Sequence, residues 1–257
     1  MLSNFKLLKF VYRGLLTGMP LLTYNPISKT SFHAPLIVNP YSTYINFKLN
    51  NFQTNYLNDY IKQYSENLTI VPIKIKPNEK EHNYLSINIY NCSSPIFMNN
   101  KDITRCEINT YVKDNSNNYG TLIIDYLSDE LSMDPVNIFK KSEHVKYRDN
   151  DIYKLIDCFS EKDNVKLSLN YTLFREEKFD VDDSLIEYTD NVYYKNGILD
   201  KIYYDSSLTN ADTREPGYYY NLTFKYKDLY FDDADSIFYF VNPIRFVGSI
   251  WNNLYNR

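Results

Sequence analysis

Small residues are scarce in this 257-residue chain, which contains six glycines and only three alanines, at positions 34, 211 and 234. Alanine is the strongest helix former, whereas the tyrosine, isoleucine, valine and threonine that are abundant here favour strands. Aromatic residues make up 17% of the chain, with 27 tyrosines and 15 phenylalanines but one tryptophan. Many of the abundant residues have A/T-rich codons, which indicates an A/T-rich genome, such as that of a virus or of an A/T-rich eukaryote. The composition favours a β-rich fold.

Cysteine and histidine are too few for a disulfide framework or a zinc site. The three cysteines stand at 92, 106 and 158 without a C-x-x-C motif, and the three histidines at 33, 82 and 144 are far apart. Two acidic clusters, at 176–183 and 228–235, lack the alternating spacing of a calcium-binding loop. The sequence therefore predicts no metal and no cofactor. Its sparse thiols are typical of a reducing compartment, so a cytoplasmic location is expected.

Long apolar runs are also absent, and no stretch of 18 apolar residues predicts a membrane-spanning helix. Hydrophobic residues make up 44% and charged residues 23%, which is typical of a folded domain with a buried core. The net charge of -4 does not favour a nucleic-acid partner, so none is predicted. Motifs for nucleotide binding, serine hydrolysis or zinc proteolysis are missing from the sequence.

The beginning of the chain differs in charge, because residues 1–58 contain five basic residues and no acidic ones. An apolar stripe at helical spacing predicts an amphipathic helix over residues 1–16, formed by Leu2, Phe5, Leu8, Val11 and Leu15. Three interpretations fit this helix: an organelle transit peptide, a membrane-surface contact, or a helix packed on the domain. Prolines in 17–43 predict an extended wrapping segment. We therefore expect an N-terminal region, 1–43, followed by one domain, 44–257.

Short β-branched or aromatic segments bounded by turn residues predict a series of strands: 68–76, 84–91, 105–113, 120–127, 166–174, 185–194, 198–205 and 218–226. The turn at 114–120 and the Asn196–Gly197 pair predict antiparallel hairpins. Helices are expected at 51–65, capped by Asn50 or Asn51, and also at 147–159 and 244–255. The predicted fold class is α+β, mainly antiparallel β. It is a closed or nearly closed β-barrel between about 44 and 226, with peripheral helices.

The segment 103–113 carries the first candidate site. Strand alternation places Arg105, Glu107, Asn109 and Tyr111 on one face. Inside a barrel, that face would bring a guanidinium and a carboxylate together at low dielectric, where they could orient a substrate. The alternative is a solvated outer face with an ion pair worth less than about 1 kcal/mol, and spacing alone favours it.

The second candidate is the adjacent pair Lys140 and Lys141. Two neighbouring ammonium groups repel each other, so one of them loses its proton more easily in a partly desolvated pocket. A neutral amine can attack a ketone and form a Schiff base. The alternative is a solvated lysine pair, which a lysine-rich chain favours.

The order of features over residues 44–147 resembles the acetoacetate decarboxylase family, whose members are closed antiparallel barrels with external helices. The resemblance rests on the helix at 56–64 and on a series of short motifs, namely Ile70-Val71-Pro72-Ile73, 84–90, Cys106-Glu107, Gly120-Thr121-Leu122, Asp125-Tyr126-Leu127 and Phe139-Lys140-Lys141. It implies an acetoacetate decarboxylase-like barrel and a lyase that acts on a small keto acid without a cofactor.

Residue by residue, the resemblance implies that Lys140 forms the Schiff base and that Lys141 lowers its pKa. Glu107 would handle protons, while Arg105, with Asn109 and Tyr111, would bind the substrate carboxylate. The alternative function is a non-catalytic, tyrosine-rich β-domain that binds a ligand or a protein. Its contact surface would include Tyr218-Tyr219-Tyr220 and the pairs Tyr193-Tyr194 and Tyr203-Tyr204. Either function is compatible with a homo-oligomer.

Overall fold

The structure, a computed structural model, describes residues 36–63, 65–93, 102–129, 144–149, 153–161, 164–194, 199–204 and 206–248. It is mostly β with few helices, and it contains a closed seven-stranded β-barrel, as the sequence predicts. Three predicted features lie outside the described residues: the helix over 1–16, the Asn196–Gly197 turn and the Lys140–Lys141 pair.

The barrel closes through pairing around a ring of seven strands. Their order is β4 (Tyr84–Ser93), β1 (Leu36–Val38), β17 (Ile244–Gly248), β12 (Leu199–Tyr204), β11 (Asn191–Tyr193), β6 (Tyr119–Ser128) and β5 (Ile103–Lys113). β5 then pairs with β4 and completes the ring. All these pairs are antiparallel except β11 with β6, which is parallel.

Gly120 allows β6 and β11 to approach each other. A β-carbon at this position would lie 2.5 Å from the backbone oxygen of Asn191, so a larger residue would push the strands apart. Because this parallel pair is one link of the ring, the glycine contributes directly to closure of the barrel.

The barrel sheet branches at β4, which is long enough to pair with two strands along the same edge. Its first part pairs with β2 (Ser42–Lys48) and its last two residues pair with β1. Beyond β2 the sheet continues through β16 (Ser236–Phe240), β13 (Thr213–Glu215) and β10 (Glu177–Lys178). A short strand, β3 (Thr69–Ile70), pairs with β5.

A separate antiparallel sheet has five strands in the order β15 (Leu229–Phe231), β14 (Tyr218–Tyr226), β9 (Val165–Thr172), β8 (Tyr153–Ser160) and β7 (His144–Asp149). Alternate residues of β9, from Val165 to Tyr171, are buried, while those between them face outward. The buried face joins one apolar core with outward-facing barrel residues such as Ile87 and Ile108. The two sheets therefore share a core that lies outside the barrel.

Helix α1 (Asn51–Lys62) covers part of this core with Leu57 and Ile61. Asn50 caps it, since its side chain accepts a hydrogen bond from the Gln53 backbone while Gln53 bonds back. The other helices are α2 (Asp183–Thr189) and α3 (Ser206–Thr209). Within the described ranges, none of the helices has the length and apolar character needed to cross a bilayer.

The secondary structure of two predicted elements is wrong. Residues 147–159 are not a helix, because β7 and β8 pair as antiparallel strands there and bury every second residue of β8. The strand predicted over 185–194 begins instead as α2, since the side chain of Asp182 caps a helix at Ser184. Only the end of that segment, β11, is a strand. Both segments mix apolar and polar residues over a short length, so periodicity alone does not separate strand from helix.

The predicted limits of the barrel and of the C-terminal helix are also wrong. β1 and β17 lie outside 44–226, whereas β7, β8, β9 and β14 lie inside these limits and form the second sheet. The helix predicted at 244–255 is a strand over Ile244–Gly248, and its remaining residues lie outside the described part. β17 is a strand because β1 and β12 offer it hydrogen-bonding edges on both sides.

Candidate functional site

The barrel encloses a cavity of about 130 Å³. Its walls are mostly apolar and come from barrel strands, from α2 and α3, and from β2 and β16, with side chains that include Val38, Ile123, Leu185, Ile202, Leu208, Phe238, Phe240, Ile244 and Phe246. Polar side chains of the wall come from β4 and β5 and also from β2, β6, α2 and β12. A mostly apolar cavity with polar groups at defined positions is typical of a ligand-binding site.

The four polar residues predicted on one face of β5, namely Arg105, Glu107, Asn109 and Tyr111, all line this cavity. The solvated outer face that spacing alone favours is therefore wrong. The opposite face of β5, which carries Cys106, Ile108 and Val112, packs in the core between the two sheets. Because a second sheet covers the apolar face, the polar face is turned toward the barrel interior.

Arg105 and Glu107 form a buried ion pair in the cavity wall. Arg105 Nη2 lies 3.4 Å from Glu107 Oε1, and the two side chains are 7% and 12% exposed. Tyr90 donates its hydroxyl hydrogen to the same Glu107 oxygen at 2.5 Å. The opposite charges compensate each other, so the pair presents hydrogen-bonding groups to the cavity without a net charge.

Asn109 carries a buried, unsatisfied oxygen in the wall of the cavity. Its residue is 5% exposed, and within the described part of the chain its Oδ1 accepts no hydrogen bond. A buried amide oxygen without a donor costs about 1–3 kcal/mol of desolvation free energy. A ligand with a hydrogen-bond donor at this position would remove that cost.

Five tyrosines line the cavity, and four of them, Tyr44, Tyr90, Tyr111 and Tyr204, have shifted pKa values. Burial raises the pKa of each of these four, to about 12 for Tyr111. The Glu107 carboxylate adds to this rise in the pKa of Tyr44, Tyr90 and Tyr204. These phenols therefore stay protonated near neutral pH and act as uncharged hydrogen-bonding groups.

Several residues of the site were missed by sequence reasoning, among them Tyr44, Asn88 and Tyr90. Asn88 connects the wall, because its Oδ1 accepts from Ser42 Oγ at 3.1 Å and its Nδ2 donates to Tyr44 Oη at 3.0 Å. A signal was present in β4, where Ser86, Asn88 and Tyr90 alternate with the apolar residues Leu85, Ile87 and Ile89. That alternation marks a second strand with a polar face, next to β5 in the sheet.

Lysine is missing from the cavity wall as far as the chain is described. Lys140 and Lys141 lie outside the described residues, so their predicted place beside Glu107 remains a prediction. The described residues contain no group of three or more histidine, cysteine or acidic side chains placed to hold a metal ion. The chemistry available in the described wall is therefore hydrogen bonding, the ion pair and apolar contact.

In comparison with known proteins, no family model, no curated protein and no solved structure matches the chain. The likeness to acetoacetate decarboxylases therefore rests on the order of sequence features alone.

Proposed function

We propose that the barrel is a binding site for a small, uncharged molecule with an apolar body and a hydrogen-bond donor. The observation that carries this proposal is the buried Oδ1 of Asn109, which has no partner among the described residues and lies in a mostly apolar cavity. The donor of the ligand bonds this oxygen, and the apolar body fills the space between the aliphatic and aromatic side chains.

The absence of charge on the ligand follows from the Arg105–Glu107 pair. A charged ligand loses its hydration on entering the barrel, and this loss is offset only by an opposite charge that is not already compensated. Glu107 already faces the Arg105 guanidinium at 3.4 Å and accepts from Tyr90. A neutral ligand avoids this desolvation cost and disturbs neither contact.

The size of the ligand follows from the volume of the cavity. At about 130 Å³ it is slightly smaller than an engineered protein cavity of about 150 Å³ that binds benzene. A single ring with one small substituent therefore matches the space. Aromatic walls such as Tyr44 and Phe238, whose rings stack at 5.1 Å, suit a planar ligand.

The test uses five ligands that share one ring: benzene, phenol, benzamide, benzoate and benzylammonium. Thermal shift and ligand-detected NMR should show that phenol and benzamide bind more tightly than benzene, by about fivefold to tenfold for one hydrogen bond. Benzoate and benzylammonium should bind more weakly than benzene. Preference for either charged ligand, or no binding of any ring, would contradict the proposal.

The variant Asn109→Leu tests the role of the amide directly. Leucine has a similar shape but no acceptor, so phenol should bind the variant no better than benzene does, while benzene binding is retained. The ligand-free variant should be at least as stable as the parent, because an unsatisfied oxygen has been removed. Asn83→Leu is the matched control, since Asn83 Oδ1 is also unpartnered among the described residues but does not line the cavity. It should keep the preference for phenol.

The Schiff-base lyase implied by the family resemblance is a second candidate. One observation favours it: Arg105 and Glu107, the residues that the resemblance assigns to the pocket beside Lys140, both line the cavity. In this reaction the Lys140 amine would condense with the ketone of a keto acid and release water. The resulting iminium would accept the electron pair left when carbon dioxide departs.

Borohydride trapping distinguishes the lyase from the binding protein. Incubation with acetoacetate and sodium borohydride should reduce the iminium to a stable amine, which mass spectrometry would locate on Lys140. Labelling should be lost in Lys140→Gln and weakened in Lys141→Gln, while the control Lys80→Gln keeps it. If no lysine is labelled across a panel of keto acids, the lyase is excluded and the neutral-ligand proposal stands.

A further inference from the structure

The five-stranded sheet has one face that is not in the core, and we call it the open face. Its aromatic side chains come from three strands: Tyr153 and Phe159 on β8, Tyr218 and Tyr220 on β14, and Tyr230 on β15. Each of these five is exposed, up to 60% for Tyr230. Soluble proteins seldom gather several large exposed rings on one face unless that face binds something.

Strand register places basic side chains between these rings. One row across the sheet runs from Phe159 on β8 through Lys166 on β9 and Lys225 on β14 to Tyr230 on β15. Another row places Tyr153 and Tyr218 on either side of Thr172. Aromatic and cationic groups therefore share the same surface, with two adjacent lysines between two rings in the first row.

A β-bulge in β14 sets the direction of its tyrosines. The register shifts between Tyr220 and Thr223, and Asn221 adopts a positive φ of 56°, which turns Leu222 into the core. Bulges of this kind redirect the side chains beside them. Tyr218 and Tyr220 remain on the open face, in register with Thr172 and Asn170 of β9.

The open face is basic, although the whole chain carries a net charge of -4. Lys146, Lys166 and Lys225 are exposed on it, and no described carboxylate forms an ion pair with them. Arg175 lies at its edge, where its Nη1 is 3.4 Å from Tyr218 Oη. The one described carboxylate among the outward-facing strand residues is Asp157, which lies 3.1 Å from His144 Nε2.

We propose that the open face binds single-stranded nucleic acid. Exposed rings on a sheet provide platforms on which unpaired bases stack, and neighbouring cations contact the phosphates. Asn170 of β9, which pairs with Tyr220 of β14, offers hydrogen bonds to base edges. A duplex fits this surface less well, because its bases are already stacked and their faces are not available.

Fluorescence anisotropy with a labelled oligonucleotide of mixed sequence tests the proposal on the full chain. The single strand should bind, and the same sequence as a duplex should bind at least tenfold more weakly. Tyr218→Ala and Tyr220→Ala should each weaken single-strand binding by about tenfold through loss of base stacking. Tyr203→Ala is the matched control, because Tyr203 is 42% exposed on the barrel strand β12 and should leave binding unchanged.

Salt dependence tests the basic side chains. For single strands, the logarithm of the association constant falls against the logarithm of salt concentration with a slope of about -0.7 per phosphate contact. Lys166→Gln combined with Lys225→Gln should reduce the size of this slope by about 1.4. Lys62→Gln combined with Lys80→Gln removes the same charge elsewhere and should leave the slope unchanged.

Three results would overturn the proposal. The first is no binding of the single strand at low salt, and the second is binding that the open-face variants do not weaken. The third is binding to phosphatidylserine vesicles that these variants abolish while the oligonucleotide does not compete, which would assign the face to an anionic membrane. All substituted side chains are exposed, so unchanged melting temperatures will show that the variants are folded.

Discussion

The protein should unfold steeply as the pH rises from 10 to 11, because its cavity tyrosines ionise only when the chain is unfolded. Burial raises the pKa of Tyr44, Tyr90, Tyr111 and Tyr204, whereas a free tyrosine has a pKa near 10. A raised pKa means that these phenols contribute stability below pH 10, and that this contribution is lost above it. At pH 11 each favours the unfolded state by about 1 kcal/mol. Together they remove several kcal/mol, which is a large part of the stability of many domains.

Circular dichroism and tyrosinate absorbance, recorded together against pH, measure this transition. The secondary structure should be lost in the same narrow interval in which the buried tyrosines ionise. Tyr204→Phe removes a phenol whose hydrogen bond, to Thr189 O, is long at 3.5 Å. This variant should unfold at a higher pH, while Tyr203→Phe on the exposed side of the same strand should not. Ionisation of all tyrosines with the secondary structure intact would contradict the prediction.

Replacing Arg105 with methionine should destabilise the protein by about 3–5 kcal/mol, the usual cost of leaving one member of a buried ion pair without the other. The methionine side chain is similar in length to the aliphatic part of arginine. The main change is therefore the loss of positive charge beside Glu107, which is 12% exposed. Glu107 would then be a buried carboxylate with the Tyr90 hydroxyl beside it but no guanidinium.

A double variant separates this charge effect from a packing defect. Arg105→Met with Glu107→Gln removes both charges and keeps an acceptor for Tyr90, so it should recover stability and cost about 1–2 kcal/mol. Urea unfolding of the two single variants and the double variant gives the coupling free energy. Lys178→Met, which removes one member of an exposed pair with Asp180, should have no measurable effect. A double variant as unstable as Arg105→Met would show that packing is responsible.

Much of the candidate site could be predicted from residue alternation. The period of two along β5 places Arg105, Glu107 and Asn109 on one face of that strand. The same pattern along β4 places Asn88 and Tyr90 on one face of β4. Alternation divides a strand into two faces but does not state which of them meets water. That was decided by the five-stranded sheet, which covers the apolar face and leaves the polar face inside the barrel.

The charge of the open face is a second property that the tertiary structure decided and the sequence did not. Lys146, Lys166 and Lys225 are separated from one another by tens of residues in the sequence, and the overall charge of -4 does not reveal them. Antiparallel pairing of β7, β8, β9, β14 and β15 brings them to one face. The prediction that the chain has no nucleic-acid partner is based on its net charge. Net charge averages over the whole chain and does not report the charge of a single surface.

The sequence by itself determined the β-rich class, the β5–β6 hairpin and helix α1, since these depend on side-chain volume, alternation and a capping box within a few residues. Only the tertiary structure decided that 144–149 and 153–160 form paired strands, that Ile244 begins a strand, and that β1 and β17 close the barrel. Short segments of this kind can form either a helix or a strand, and the outcome depends on which strand edges are free to pair with them. For β1 and β17 the partner is about 200 residues away, a distance over which no local pattern in the chain carries information.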